Sequence, residues 1–217
     1  MIIVFSGTDG AGKTTQIERL VKYFEAKGKS CEYVWARGGY TPLFSSLKKI
    51  ARKVLGKKVP AQGNSKDRER LLKKNYISVI WLIVAIWDLI FFYSIYVRAM
   101  GRLGKVVICD RYLEDTALDF EHNFGTVFNS KSFLWKLLLW SAPEPDHSFL
   151  LWVPVVISRE RSIAKNEPFP DSIETLEYRL DKYLDENCFP VNRYYRIECT
   201  TPIDEVSKEI ISFIEKS

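Results

Sequence analysis

The chain has 217 residues, 47% hydrophobic and 27% charged, a balance that excludes a disordered polymer and supports one substantial core. Its 32 basic and 27 acidic residues leave a net charge of +5, a mild excess that suits an anionic small molecule and falls short of what a nucleic-acid polymer requires. Cys31, Cys109, Cys188 and Cys199 form no C-x-x-C pair, and His122 and His147 are the two histidines, so neither a disulfide framework nor a histidine-rich metal centre is expected. Thiols in a reducing cytosol are the expectation, and the opening has no basic n-region before a glycine turn at residue 7, which argues against a cleaved secretion signal.

Residues 2–6 are a continuous apolar run stopped by Gly7, the pattern of a strand buried on both faces of a parallel sheet. Similar runs follow at 31–35, 105–109, 149–153 and 194–199. Helical patterns lie between them at 13–26, 43–55, about 67–100, 132–140 and 203–214, the first two closed by Gly28 and Gly56. Strand alternating with helix predicts an α/β fold, a five-stranded parallel sheet with helices on both faces and right-handed crossovers, in one domain over 1–217. Residues 56–67 and 165–172 read as surface loops. The tryptophans at 81, 87, 135, 140 and 152 are expected to be buried.

The stretch 77–97, ISVIWLIVAIWDLIFFYSIYV, is long enough to cross a bilayer and carries one charge, Asp88. A single crossing would separate strands that must share a sheet, so the helix is expected to be buried or shared with a partner. A homodimer through this helix is the preferred expectation. The basic run at 48–58 keeps peripheral contact with an anionic membrane open as the rival.

Gly7-Thr-Asp-Gly-Ala-Gly-Lys-Thr14 satisfies G-x-x-x-x-G-K-[ST] at every fixed position, with a strand before it and a helix after. Glycines let the backbone close around an anion, so Gly7, Gly10, Ala11, Gly12, Lys13, Thr14 and Thr15 are the candidate triphosphate cradle. Lys13 is expected on the β and γ phosphates and the Thr14 hydroxyl on Mg²⁺, with ATP as the nucleotide. The strand that ends Cys109-Asp110-Arg111-Tyr112 delivers a carboxylate to the same edge of the sheet, which makes Asp110 the second candidate for Mg²⁺.

GTDGAGKTTQ followed by an apolar strand ending in DRY resembles the thymidylate kinase family, nucleoside monophosphate kinases of the three-layer P-loop fold. The resemblance implies ATP-dependent transfer of a phosphoryl group to a small-molecule acceptor, dTMP first among them, in the cytoplasm. It also implies acceptor contacts from Asp9, Arg37 in Ala36-Arg-Gly-Gly-Tyr-Thr-Pro-Leu43, Arg111 and Tyr112. Residues 157–172 are similar to the family's lid, so Arg159 and Arg161, with Lys165, are candidates to close on the transferring group. Arg111 joins Lys13 and Asp9 as a candidate for catalysis. The physical case for arginine is separate, since a planar, always-charged fork matches charge developing on phosphoryl oxygens.

Two departures stand out. Where the family carries a base-recognising arginine, the third helix reads Val84-Ala-Ile-Trp-Asp88. After DRY, Asp119-Phe120 replaces a Tyr-Gln pair. These losses leave open a kinase of a different acceptor, another nucleotide or a membrane-associated alcohol, and an ATPase without an acceptor. Under an alcohol acceptor Asp9, Asp115 or Asp119 gain interest as a base. Otherwise Asp115 and Asp119 read as ordinary turn or helix-start acids.

Overall fold

All six residues of β1 (Ile2–Gly7) are buried, as a strand enclosed on both faces requires. In the computed structural model, which describes residues 1–35, 41, 75–165 and 172–216, this strand is the centre of a five-stranded sheet. The other strands are β2 (Cys31–Trp35), β3 (Val106–Asp110), β4 (His147–Trp152) and β5 (Tyr195–Glu198), in the order β2-β3-β1-β4-β5 with every pairing parallel. The expected strands are all present, with ends that coincide or shift by at most two residues.

The chain divides into two compact units. The first comprises Met1–Trp35, Met100–Asp115 and Glu144–Ser217 and holds the whole sheet. On one face of the sheet Ile3, Phe5, Ile108, Phe149 and Leu151 meet Ile17, Leu20 and Phe24 of α1 (Lys13–Ala26) and Val206 and Ile210 of the C-terminal helix, Ile203–Lys216. Those helix positions recur at three- and four-residue spacing, which sets one apolar stripe against the sheet. The alternate residues Val4, Val107, Cys109 and Leu150 are buried on the opposite face, so the sheet is covered on both sides. Its two edges, β2 and β5, are the more exposed strands.

The second unit comprises Ala36–Ala99 and Thr116–Pro143. Its long helix is α-helical over Asn75–Phe91 (α2), widens to a π-helical turn at Phe92–Val97, and continues as α3 (Arg98–Arg102). Tyr93 and Val97, both within the wider turn, are fully buried. Residues 67–74 of the expected helix lie outside the described residues, as do the expected helix at 43–55, the basic run at 48–58 and the loop at 56–67. α4 (Leu113–Phe124) passes from the first unit into the second, and α5 (Phe133–Ser141) is capped by the Ser132 hydroxyl. The last carbonyl of α5, Ser141, accepts hydrogen bonds from Ser94 Oγ at 3.1 Å and Arg98 Nη2 at 2.8 Å.

One expectation is corrected, and a second is left as it stood. The tryptophans are not uniformly buried: Trp135 is, whereas Trp87 and Trp140 are 43% and 81% exposed. The 77–97 helix is apolar all round, but one face is buried through Leu82, Ala85, Ile86, Leu89 and Ile90, and the other leaves Ile80, Ile83, Trp87, Phe91 and Ile95 exposed. A continuous helix over Tyr76–Arg102 is long and apolar enough to cross a membrane. Yet the strands that flank it in sequence, β2 and β3, pair with Trp35 opposite Asp110, which a single crossing forbids.

Candidate active site

The phosphate loop leaves the C-terminal end of β1 between β3 and β4, where open parallel sheets take their ligands. Gly7 stands at φ 129°, and a Cβ there would lie 1.7 Å from the Leu151 carbonyl oxygen, so β4 approaches too closely for any side chain. That carbonyl accepts the Thr8 N–H at 3.1 Å, and the Thr8 hydroxyl accepts the Val153 N–H at 3.1 Å. Gly10 and Gly12 take φ 76° and 85°, a left-handed backbone that costs glycine little. Together they turn the chain into the first N–H groups of α1, an end that favours anions. Ala11 is buried beneath this turn, Thr15 is half-buried, and Thr14 is exposed.

Lys13 points back into the loop. Its Nζ donates to the carbonyls of Gly7 and Thr8 at 2.8 Å each and lies 3.8 Å from Asp9 Oδ1. Burial first, and the positive charge of Arg111 second, bring its pKa down from 10.5 to about 8.

Arg111 closes the other side. It has φ 76°, an uncommon conformation for a residue with a Cβ, and its N–H donates to the Phe5 carbonyl at 2.8 Å. Nη2 donates to Asp9 Oδ1 at 2.7 Å, and Nη1 donates to the Tyr183 hydroxyl at 2.6 Å and lies 3.4 Å from Asp115 Oδ1. Tyr183 donates to Asp115 Oδ1 at 2.8 Å, and Ser6 Oγ donates to Oδ2 at 2.5 Å. Asp115 also reaches back to the Tyr112 N–H at 3.1 Å, as an acid in the first turn of α4 does. The Asp115 side chain is thus fully enclosed. Arg179, one helical turn before Tyr183 on α7 (Ile173–Leu184), lies 3.9 Å from Asp9 Oδ2.

Asp110 is buried at the end of β3; Tyr33 donates to its Oδ2 at 3.1 Å, and Oδ1 has no hydrogen-bond partner among the described residues. A buried carboxylate oxygen left without a donor fits a cation partner, and with the exposed Thr14 hydroxyl it suits a Mg²⁺ that takes its remaining oxygens from phosphate and water. Among the described residues no group of three or more histidine, cysteine, aspartate and glutamate side chains is placed to hold a metal ion.

The lid candidates separate. Arg161, on α6 (Val155–Ala164), donates through Nη1 to the Gly10 carbonyl at 2.8 Å and through Nη2 to the Cys199 carbonyl at 3.1 Å. Ser158 Oγ donates to the Asp9 carbonyl at 2.7 Å, and the backbone of Ser158 would meet a Gly10 Cβ at 3.1 Å. The start of α6 therefore packs on the phosphate loop, and Arg161 ties that loop to the end of β5. Arg159 and Lys165 are exposed. Arg37 and lid residues 166–171 lie outside the described residues. Tyr112 is fully buried and presents no exposed face to an acceptor.

In the second unit, Asp88 is buried and accepts from the Thr41 hydroxyl. Phe120 is 2% exposed and sits in an aromatic cluster with Trp81, Phe124, Phe128 and Trp135, at ring separations of 5.4 to 6.2 Å. At these two departures from the resembled pattern stand a buried acid bonded to Thr41 and a packed ring. Sequence reasoning missed Ser6, Arg179 and Tyr183, and underrated Asp115.

Comparison with known proteins gives a consistent result. Residues 5–210 match the family model described as thymidylate kinase. The chain is 26% identical to a thymidylate kinase of Desulfotalea psychrophila over 99% of this chain and 94% of that one. It is 28% identical to a probable thymidylate kinase of Pyrococcus horikoshii over 98% and 95% of the two chains, and 30% identical to a thymidylate kinase of Wolbachia pipientis over 77% and 71%.

Proposed function

This chain belongs to the thymidylate kinase family, and we propose that it moves the γ-phosphoryl group of ATP onto the 5′-phosphate of dTMP. It is an ATP- and Mg²⁺-dependent nucleoside monophosphate kinase with small-molecule substrates. The observation that carries the reading is the meeting of Arg111 with Asp9 at 2.7 Å, beside Lys13. It joins the strand-end arginine to the loop that grips the donor.

The N–H groups at the start of α1 and Lys13 hold the donor phosphates, with Gly7, Gly10, Ala11, Gly12, Thr14 and Thr15 shaping the cradle. Thr14 and Asp110 hold Mg²⁺, which neutralises charge on the β and γ oxygens when bound. Arg111 faces the transferring group, where a well-placed arginine contributes on the order of 10³-fold in rate. Asp9 orients Arg111 and Arg179 and lies on the acceptor side; a phosphate acceptor needs no base, so its task is positioning. Arg37 is assigned to the acceptor phosphate and Arg159 to lid closure. Arg161 holds the loop in shape for the nucleotide. Catalysis rests on placement and on positive charge set in advance of the reaction.

A coupled ADP-release assay with MgATP and a panel of nucleoside monophosphates tests this. Turnover is expected to be fastest with dTMP. A faster partner replaces dTMP as the acceptor, which the changed positions Asp88 and Phe120 make worth measuring; no turnover with any monophosphate refutes the reading.

The domain is proposed to be single over 1–217, with its lid at 157–172, and the enzyme to work in the cytoplasm, where four free thiols are at home. The exposed stripe of the 77–97 helix supports a homodimer. Sedimentation is expected to show a dimer that Trp87→Glu dissociates, whereas a monomer that floats with anionic vesicles would favour the membrane seat.

A further inference from the structure

A guanidinium with two usable edges is fixed only when both edges are held. Asp9, at 34% side-chain exposure, takes one edge of Arg111 from the open side of the site. The other edge faces inward, where Tyr183 and Asp115 are 1% and 2% exposed.

The inward contacts form a closed triangle. Arg111 Nη1 donates to the Tyr183 hydroxyl, that hydroxyl donates to Asp115 Oδ1, and Nη1 approaches the same Oδ1. Asp115 cannot turn away, because Ser6 and the Tyr112 N–H occupy its other oxygen. Tyr183 cannot turn away either, since its ring packs on Phe189 at 4.9 Å between centroids. Burial, with the negative charge of Asp115 against the opposing Arg111, holds the Tyr183 hydroxyl well above its ordinary pKa, so it stays a donor to the carboxylate and an acceptor for the arginine. The left-handed backbone at Arg111 needs such a hold, because strain of that kind persists only where the surroundings over-determine it.

We infer that Asp115 and Tyr183 are positioning residues for phosphoryl transfer, a buried clamp that fixes the inner edge of the Arg111 guanidinium and so keeps its outer edge, which meets Asp9, on the open side of the phosphate loop. The inference rests on the kinase reading above. It also explains why an acid at a helix start is enclosed and given four donors, where a capping role alone uses one.

A double-mutant cycle tests the clamp. Tyr183→Phe keeps the ring and removes one oxygen, and Asp115→Asn keeps the shape and removes the charge. Each is combined with Arg111→Ala, and kcat and KM are measured with whichever monophosphate the wild-type enzyme turns over fastest. Failure of dTMP then changes the acceptor and leaves the cycle readable. In the presence of Arg111, Tyr183→Phe is expected to lower kcat about 10²-fold, the usual cost of a misplaced catalytic group, with the KM for MgATP little changed. In the Arg111→Ala background it is expected to do nothing further, and Asp115→Asn is expected to follow the same pattern. A merely structural role lowers kcat by the same factor in both backgrounds, and that result, or an undiminished kcat in both single variants with Arg111 intact, overturns the clamp. Should Asp115→Asn fail to fold, the Tyr183→Phe arm decides alone.

Discussion

Lys13→Met removes a buried ammonium whose pKa stands at about 8 instead of 10.5, and the consequence is readable in stability. Between those two pH values the unfolded chain keeps a proton on this side chain that the folded chain has released. Stability therefore rises with pH across the window, because the unfolded state binds more protons there. At about 1.4 kcal/mol per pH unit, the full span corresponds to about 3 kcal/mol. Below pH 8 the folded protein bears this cost in full, and above 10.5 it bears none. Urea unfolding followed by circular dichroism, from pH 7 to 10.5, gives the free energy for both proteins. The wild type is expected to gain about 3 kcal/mol on the variant over that range. The two carbonyls that lose their donor, those of Gly7 and Thr8, shift the variant by a constant amount and leave the slope difference intact. Parallel curves would refute the claim that Lys13 is held charged at a cost. The same cost prepares the site: phosphates restore a partner for the charge, so MgATP binding near pH 8.5 is expected to take up protons, which calorimetry in two buffers of different ionisation heat detects.

Gly7→Ala is expected to lose more than about 3 kcal/mol of stability, since its Cβ meets the Leu151 carbonyl and the central pair of strands must part; a urea midpoint within error of wild type contradicts that contact. Asp110→Asn is expected to raise the Mg²⁺ concentration for half-maximal rate at least about tenfold, with the thermal midpoint little changed; an unaltered Mg²⁺ titration removes Asp110 from the metal. Arg161→Ala frees the Gly10 and Cys199 carbonyls and is expected to raise the KM for MgATP about tenfold, roughly the worth of one charge-assisted bond. If kcat alone falls, Arg161 acts on the transferring phosphoryl group and not on the loop.

The cradle was legible because its parts are contiguous. Gly7, Gly10, Gly12 and Lys13 sit within seven residues, and the strand before them and the helix after them are local patterns. Asp110 and Arg111 were legible for the same reason, as the end of an apolar strand. Asp115 was not, because an acid in the first turn of a helix has an ordinary explanation that is also true here; its enclosure is decided by Ser6, 109 residues earlier, and Tyr183, 68 residues later. Tyr183 and Arg179 are marked in the sequence only by four-residue spacing, which any amphipathic helix displays. Arg161 read as a free lid charge because its partners are backbone carbonyls, to which composition and pattern are blind. Exposure of Trp87 and Trp140 was likewise hidden, since hydrophobicity says that a ring favours burial and not which side of its helix receives a neighbour.

The central place of β1 bears on how the protein is made. Both neighbours of the strand in the sheet, β3 and β4, are made long after it, and Thr8 finds the amide it must bind 145 residues downstream. Until β4 has been synthesised, the loop that receives ATP lacks the Leu151 carbonyl and the Val153 amide that brace Thr8. Nucleotide held by this loop therefore favours a chain in which β4 has already paired with β1, a contact of high sequence separation and so of a kind that is slow to form.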